Sequence, residues 1–162
     1  MNEQGTIYGS IAEPSDLIKI KTYSIRKTIL CIAYIDFFVK LLNAFVNISN
    51  QKESLRNYGY YNLVCSSLIF IGIIGINRYY NYISYGYAVY LTSQIIIILL
   101  LIFLININYI TFIFCLLILF IESWILKLLC KFITNIKLLP ESDLLELREG
   151  WTPNVMYARV YY

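Results

Sequence analysis

The sequence of 162 residues contains no histidine, and none of its four cysteines forms a C-x-x-C pair. Because zinc and haem sites draw on histidine or clustered cysteine, a metal centre built by this chain alone is not expected. A nucleophile paired with a base and a phosphate-binding loop are also missing. We therefore predict that the chain is not an enzyme and binds no cofactor, although a structural lipid is compatible with it. The cysteines are interpreted as small apolar packing residues: Cys31, Cys65, Cys115 and Cys130.

Charged residues are scarce in this chain. They make up 14% of it, whereas about 25% is usual in a soluble domain. The net charge of +3 is small and is spread near the ends of the apolar segments, which argues against nucleic-acid binding. No small-molecule substrate is expected either. The expected partners are other membrane protein subunits and lipid.

Long hydrophobic runs dominate the rest of the sequence. Hydrophobic residues make up 59% of the chain and are concentrated in four stretches, residues 28–48, 61–77, 84–105 and 109–132. A helix needs roughly 20 apolar residues to cross a hydrocarbon core of about 30 Å. Because the connections at 78–83 and 106–108 are short, consecutive helices must be antiparallel neighbours. The sequence therefore predicts an all-α integral membrane protein, an up-down four-helix bundle over residues 28–132.

The segments outside the bundle are predicted to be tails. Residues 1–27 form a polar N-terminal tail with three acidic side chains and no early apolar run. We therefore expect neither a secretory signal nor a transit peptide, and we predict that the first span acts as the insertion signal. Residues 133–162 form a C-terminal tail. Each tail is too short for a second folded domain.

Basic residues mark one end of the bundle. The other end has only Lys52 and Arg56. The positive-inside rule then predicts that both termini lie on the cytosolic face, or on the matrix face in a mitochondrial membrane. The residues on the basic side are Lys19, Lys21, Arg26, Lys27, Arg78, Lys127, Lys131 and Lys137.

Polar side chains inside the predicted spans are the strongest candidates for a functional site. Asp36, Lys40, Asn43 and Asn47 follow one another at spacings of four, three and four, which places them on one helical face. The other spans contribute Ser66, Ser67, Gln94 and Glu122 at a similar depth, roughly 15 Å from the inner face. An unpaired charge there costs roughly 2.5–3.5 kcal/mol, so these groups should face inward.

Three interpretations of this intramembrane polar layer remain open. It could be a clasp that fixes which helices pack together, with Asp36 and Lys40 paired at i,i+4. It could instead pair with a neighbouring subunit, because the two acids, Asp36 and Glu122, outnumber the one base. A proton or ion pathway is the third interpretation, although pathways usually need a continuous polar file.

The C-terminal tail contains two further patterns. Residues 141–149 have a helical pattern, with Asp143 and Glu146 spaced like a capping box and Gly150 as the stop. This predicts a short amphipathic surface helix. The last stretch is rich in large aromatic rings that suit docking on a partner: Trp151, Tyr157, Tyr161 and Tyr162.

Two short tail motifs match sorting signals. Residues 157–160 fit a tyrosine-x-x-apolar signal, and residues 141–145 fit an acidic dileucine signal.

Small residues in spans two and three predict that these helices approach closely. They are Gly72 and Gly75 in span two, and Ser84 and Gly86 at the start of span three.

Residues Lys27–Ile48 resemble the lysosomal-associated four-span transmembrane proteins, and so does the join between spans two and three, residues Ile71–Ile105. The residues that carry the resemblance in the join are Gly75, Tyr79, Tyr90 and Gln94. The resemblance covers about two-thirds of the chain and implies a short turn between spans two and three and a glutamine within span three. The family's C-terminal Pro-Pro-x-Tyr motifs are absent and its long luminal loops are short here, so recruitment of a ubiquitin ligase is not implied.

Three classes of function follow from these features. The favoured one is a non-catalytic accessory subunit of a larger membrane complex, for which a respiratory assembly of the mitochondrial inner membrane is the favoured example. An endolysosomal sorting or adaptor protein is the first alternative, and a small transporter or channel is the second.

Overall fold

The computed structural model describes residues 14–104 and 108–153, and this part of the chain contains five α-helices and no strand. The helices are α1 (Pro14–Ile48), α2 (Glu53–Asn77), α3 (Asn81–Leu104), α4 (Tyr109–Leu138) and α5 (Glu141–Glu149). The first four are each long and apolar enough to cross a membrane. The predicted all-α bundle is confirmed, and its helices indicate an integral membrane protein.

The four long helices pack in chain order. α1 contacts α2, α2 contacts α3, α3 contacts α4, and α4 returns to α1. Because the connections at residues 49–52 and 78–80 are only a few residues long, neighbouring helices run antiparallel and α1 runs parallel to α3. α5 contacts the beginning of α1, so the two ends of the described chain lie together at one end of the bundle.

Three helices extend at least six residues beyond the predicted spans. α1 begins at Pro14 instead of residue 28, α2 begins at Glu53 instead of residue 61, and α4 continues to Leu138 instead of ending at residue 132. Hydropathy detects only the apolar part of a helix, whereas these extensions carry polar residues on their exposed sides. Residues 14–27 and 133–138, which were assigned to tails, therefore belong to the helices of the bundle. α5 occupies the same residues as the predicted surface helix.

Small residues bring α2 and α3 into close contact. A methyl group on Gly72 would overlap Cβ of Tyr87, and one on Gly75 would overlap the backbone nitrogen of Ser84. Gly86 on α3 packs against the carbonyl oxygen of Leu68 on α2. The small-residue pattern in the sequence thus lies in the contact between the two helices, where larger side chains would force the backbones apart.

Packing is uneven along α4. Its fully buried residues all lie between Ile125 and Ile136, and they share a core with residues from α1, α2 and α3. The preceding half of α4, from Tyr109 to Trp124, has no fully buried residue. Full burial on α4 is therefore confined to its second half, whereas Cys115 and Leu119 in the first half are half-buried.

Candidate functional site

Asp36 is held by a residue of another helix. Its Oδ2 accepts a hydrogen bond of 2.6 Å from the hydroxyl of Tyr87 on α3. Tyr87 is fully buried because Gly72 leaves room for its Cβ on the facing helix. The close approach of α2 and α3 thus positions the phenol that satisfies Asp36, and the bond links α1 to α3 inside the bundle.

Lys40 is linked to two further helices. Its Nζ donates to Oε1 of Gln94 on α3 at 3.1 Å, and Nε2 of Gln94 donates to the hydroxyl of Tyr61 on α2. Lys40 Nζ also lies 5.7 Å from the ring centroid of Tyr90, a distance at which a cation is attracted to the ring face. A continuous chain of polar contacts therefore runs from α1 through α3 to α2.

The predicted Asp36–Lys40 ion pair is absent from the described part of the chain. The ion pairs found there within 4.0 Å all involve Lys19. The spacing of four residues does place Asp36 and Lys40 on one face, but each side chain reaches across to α3. Tyr87 and Gln94 share one face of α3, and their hydrogen bonds to Asp36 and Lys40 replace the pair within one helix.

Four of the polar residues named from the sequence do not join the layer. Asn47 donates from its side-chain amide to the carbonyl oxygen of Asn43 in its own helix. Asn43 and Ser67 are exposed, and Ser66 is buried. The hydroxyls of both serines donate to the carbonyl oxygen of Leu63 in their own helix. Serine in a helix can satisfy its hydroxyl on the preceding turn without any partner helix. The polar layer of the structure is therefore Asp36, Lys40, Tyr61, Tyr87, Tyr90, Gln94 and Glu122.

The tyrosines of the layer were missed in the sequence. Tyr87 and Tyr90 stack with ring centroids 5.8 Å apart and an interplanar angle of 10°. Tyrosine is so common here, with 16 copies, that its presence in a span carries little information. A usable signal was nevertheless present. Tyr87 and Gln94 are seven residues apart and so share one face of α3, as Asp36 and Lys40 share one face of α1.

Glu122 on α4 is the least satisfied member of the layer. Its buried Oε2 has no hydrogen-bond partner among the described residues. A buried oxygen without a partner costs about 1–3 kcal/mol, and more if it is charged. The layer's polar groups on α1, α2 and α3 are thus linked by hydrogen bonds, whereas the Oε2 of Glu122 on α4 has no such bond.

Exposure rises steadily along the face of α4 that carries Glu122. Leu129 and Ile125 are buried, Glu122 is half-buried and Ile118 is 46% exposed. These positions are spaced four, three and four apart, so they lie on one face. That face points into the bundle at Leu129 and is uncovered at Ile118. The structure therefore leaves Ile118 exposed one turn before Glu122.

A second polar cluster closes the end of the bundle where the termini meet. Lys19 on α1 is only 3% exposed and pairs with Glu146 and, at 3.5 Å, with Asp143, both on α5. The predicted capping box is wrong, because α5 has no side-chain hydrogen bond at its N-cap, Pro140. Asp143 and Glu146 hold Lys19 instead and fix α5 on the bundle.

Trp151 packs within its own chain. Its ring meets Tyr23 edge to face at a centroid distance of 6.3 Å, and Lys19 Nζ lies 4.8 Å from the Trp151 ring centroid. These contacts bury part of the Trp151 ring within its own chain, and its predicted docking on a partner stays a prediction. The other predicted docking residues, Tyr157, Tyr161 and Tyr162, lie outside the described residues.

Two arginines secure the turn between α2 and α3. Arg148 on α5 donates from Nε to the carbonyl oxygen of Arg78 at 3.1 Å, which satisfies a free carbonyl at the end of α2. Arg26 on α1 donates to Oδ1 of Asn77 at 2.6 Å and to the hydroxyl of Tyr79 at 3.2 Å. Burial raises the pKa of Tyr79, an effect that Arg26 opposes. The turn is thus held by α1 and α5 together.

No group of three or more histidine, cysteine, aspartate or glutamate residues that could hold a metal ion occurs in residues 14–104 and 108–153. The geometry of the polar layer supports helix association through hydrogen bonds between helices. Comparison with known proteins adds no further constraint, because no family model, curated protein or solved structure matches this chain.

Proposed function

We propose that this chain is a non-catalytic subunit of a larger membrane assembly, and that it joins a partner through the face of α4 beside Glu122. The observation that carries the proposal is the buried Oε2 of Glu122, which lacks a hydrogen-bond partner in the described chain. A carboxylate at this depth needs a donor or a cation. A partner helix with a basic or donor side chain would supply one.

The packing of α4 supports the same proposal. Ile118 lies one turn before Glu122 on the same face and is uncovered, although that face is buried further along the helix. A partner helix seated on Ile118 would cover this exposed turn and bring a polar group close to the Glu122 carboxyl group. Asp36 and Lys40 already have partners within the chain, so Glu122 is the member of the layer that is available for this contact.

The alternative functions receive less support. The acidic dileucine segment, residues 141–145, lies in α5, where Leu144 packs against the core, so it is not presented as a free extended peptide. For a transporter or channel, the polar groups would need to continue along the membrane normal. They instead form one layer that is bonded across three helices.

The location and orientation are part of the proposal. The two ends of the described chain lie at the same end of the bundle, together with most of the basic residues, which favours the cytosolic or matrix side for that end. We place the assembly in the mitochondrial inner membrane, with the endolysosomal membrane as the alternative.

Extraction from the native membrane with a gentle detergent, followed by native electrophoresis, tests the proposal. The 19.0 kDa chain should co-migrate with a much larger complex. Glu122→Leu should reduce the co-migrating fraction several-fold, since the polar contact is lost. The control Ile121→Leu changes the neighbouring exposed position and should have no effect.

A free chain in endosomal fractions would contradict the proposal. The sorting alternative would gain support if Tyr157→Ala moved the chain to another membrane without changing the size of its complex.

A further inference from the structure

One face of α4 points directly away from the bundle and combines three kinds of side chain. We call it the outer stripe and define it as Leu117, Phe120, Trp124, Lys127 and Lys131. The spacings of three, four, three and four place these residues on a single face. Phe120 is 71% exposed and Trp124 is 47% exposed, and both lysines are exposed.

The chemistry of the outer stripe changes in order along the helix. Leu117 and Phe120 are apolar, Trp124 follows with an amphipathic indole, and Lys127 and Lys131 end the stripe with two ammonium groups one turn apart. At 1.5 Å per residue the distance from Leu117 to Trp124 is about 10 Å, and Lys127 follows about 5 Å later. A phospholipid offers the same order, from acyl chain through the interfacial region to the phosphate.

The two lysines have no role inside the protein. Neither makes a hydrogen bond or an ion pair with any residue in the described ranges 14–104 and 108–153. Lys19 and Lys40, by contrast, are each bonded to other helices. The outer stripe contains no acidic residue, and Glu122 lies on the opposite side of α4. The outer stripe therefore carries two positive charges without a nearby acidic partner, next to an exposed apolar surface.

We propose that the outer stripe binds an anionic phospholipid, with the phosphate between Lys127 and Lys131 and an acyl chain along Phe120 and Leu117. The two positive lysines favour an anionic headgroup. The apolar residues that continue the stripe into the spanning part of α4 favour a lipid over a soluble anion, because they can contact an acyl chain. This binding site goes beyond the proposed subunit function, and it uses the side of α4 opposite to Ile118.

Fluorescence quenching in bilayer vesicles tests the lipid proposal on the purified chain. The protein has two tryptophans, so a Trp151→Phe variant leaves Trp124 as the reporter. Brominated phosphatidylglycerol should quench Trp124 more strongly than brominated phosphatidylcholine at the same mole fraction. Each basic residue near an anionic lipid surface contributes about a five-fold preference, and 1 M salt should largely abolish it.

The matched variants separate the stripe from general charge effects. Lys127→Gln with Lys131→Gln should make the quenching by the two lipids nearly equal. Lys52→Gln with Arg56→Gln removes the same charge at the other end of the bundle and should leave the preference unchanged. Circular dichroism verifies that both variants keep their helices. The proposal is overturned if the reporter protein shows no preference for phosphatidylglycerol, or if the control pair lowers the preference as much as the stripe pair.

Discussion

Replacing Gly72 by leucine is expected to destroy the packing of α2 against α3 and to destabilise the bundle by about 3 kcal/mol or more. The added side chain would overlap both the backbone and Cβ of Tyr87, and a helix backbone cannot yield as a flexible side chain can. Displacing Tyr87 also removes the donor to Asp36, so a steric change on α2 should disrupt the polar layer. Unfolding of the detergent-solubilised protein measures the loss.

The control for this substitution is Ser67→Leu on the same helix. Ser67 is exposed and its hydroxyl bonds only within α2, so a leucine there adds a similar volume towards lipid. It should change stability by less than about 0.5 kcal/mol. Equal stability of the Gly72 and Ser67 variants would show that α2 and α3 do not approach at Gly72.

Lys40→Met is expected to give the second largest effect, a loss of about 3 kcal/mol in the free energy of unfolding. The substitution removes the donor to Gln94, and it also removes the basic side chain of a polar layer that contains two acidic groups, Asp36 and Glu122. Thermal unfolding in detergent micelles measures the change.

A double-mutant cycle tests which contact Lys40 makes. Lys40→Met combined with Gln94→Leu should lose about 1 kcal/mol less than the sum of the single variants, within the range for hydrogen bonds between membrane helices. Asp36→Asn with Tyr87→Phe should behave in the same way. Additive losses in both cycles would contradict the hydrogen bonds across the bundle.

The number, type and order of the spanning helices could be predicted because apolar runs of about 20 residues have few other structures available to them. The intramembrane polar positions were also visible in the sequence. Their partners were not. Periodicity places Asp36 and Lys40 on a face of α1, but it does not say which helix that face meets. The partner hydroxyl of Tyr87 depends on the rotation of α3, which the glycines of α2 set through close packing.

The end of the bundle was harder to predict. Hydropathy stops where side chains become polar, so the first turns of α1 were assigned to a tail. The Lys19–Glu146 contact joins residues far apart in the chain, and the local spacing of Asp143 and Glu146 suggested a capping box. A spacing of three residues fits both a cap and a shared face, and only the docking of α5 on α1 decides between them.

Site-specific photo-crosslinking on α4 tests the proposed subunit role most directly. A photoreactive phenylalanine derivative is placed at Ile118 in one variant and at Phe120 in another. Both positions are exposed, but they are two residues apart and point to opposite sides of the helix. In the native membrane, the Ile118 probe should give one protein adduct of defined mass, and the Phe120 probe should give lipid adducts only. Lipid adducts alone from both positions would contradict the account, because lipid and not a partner subunit would then cover α4 beside Glu122.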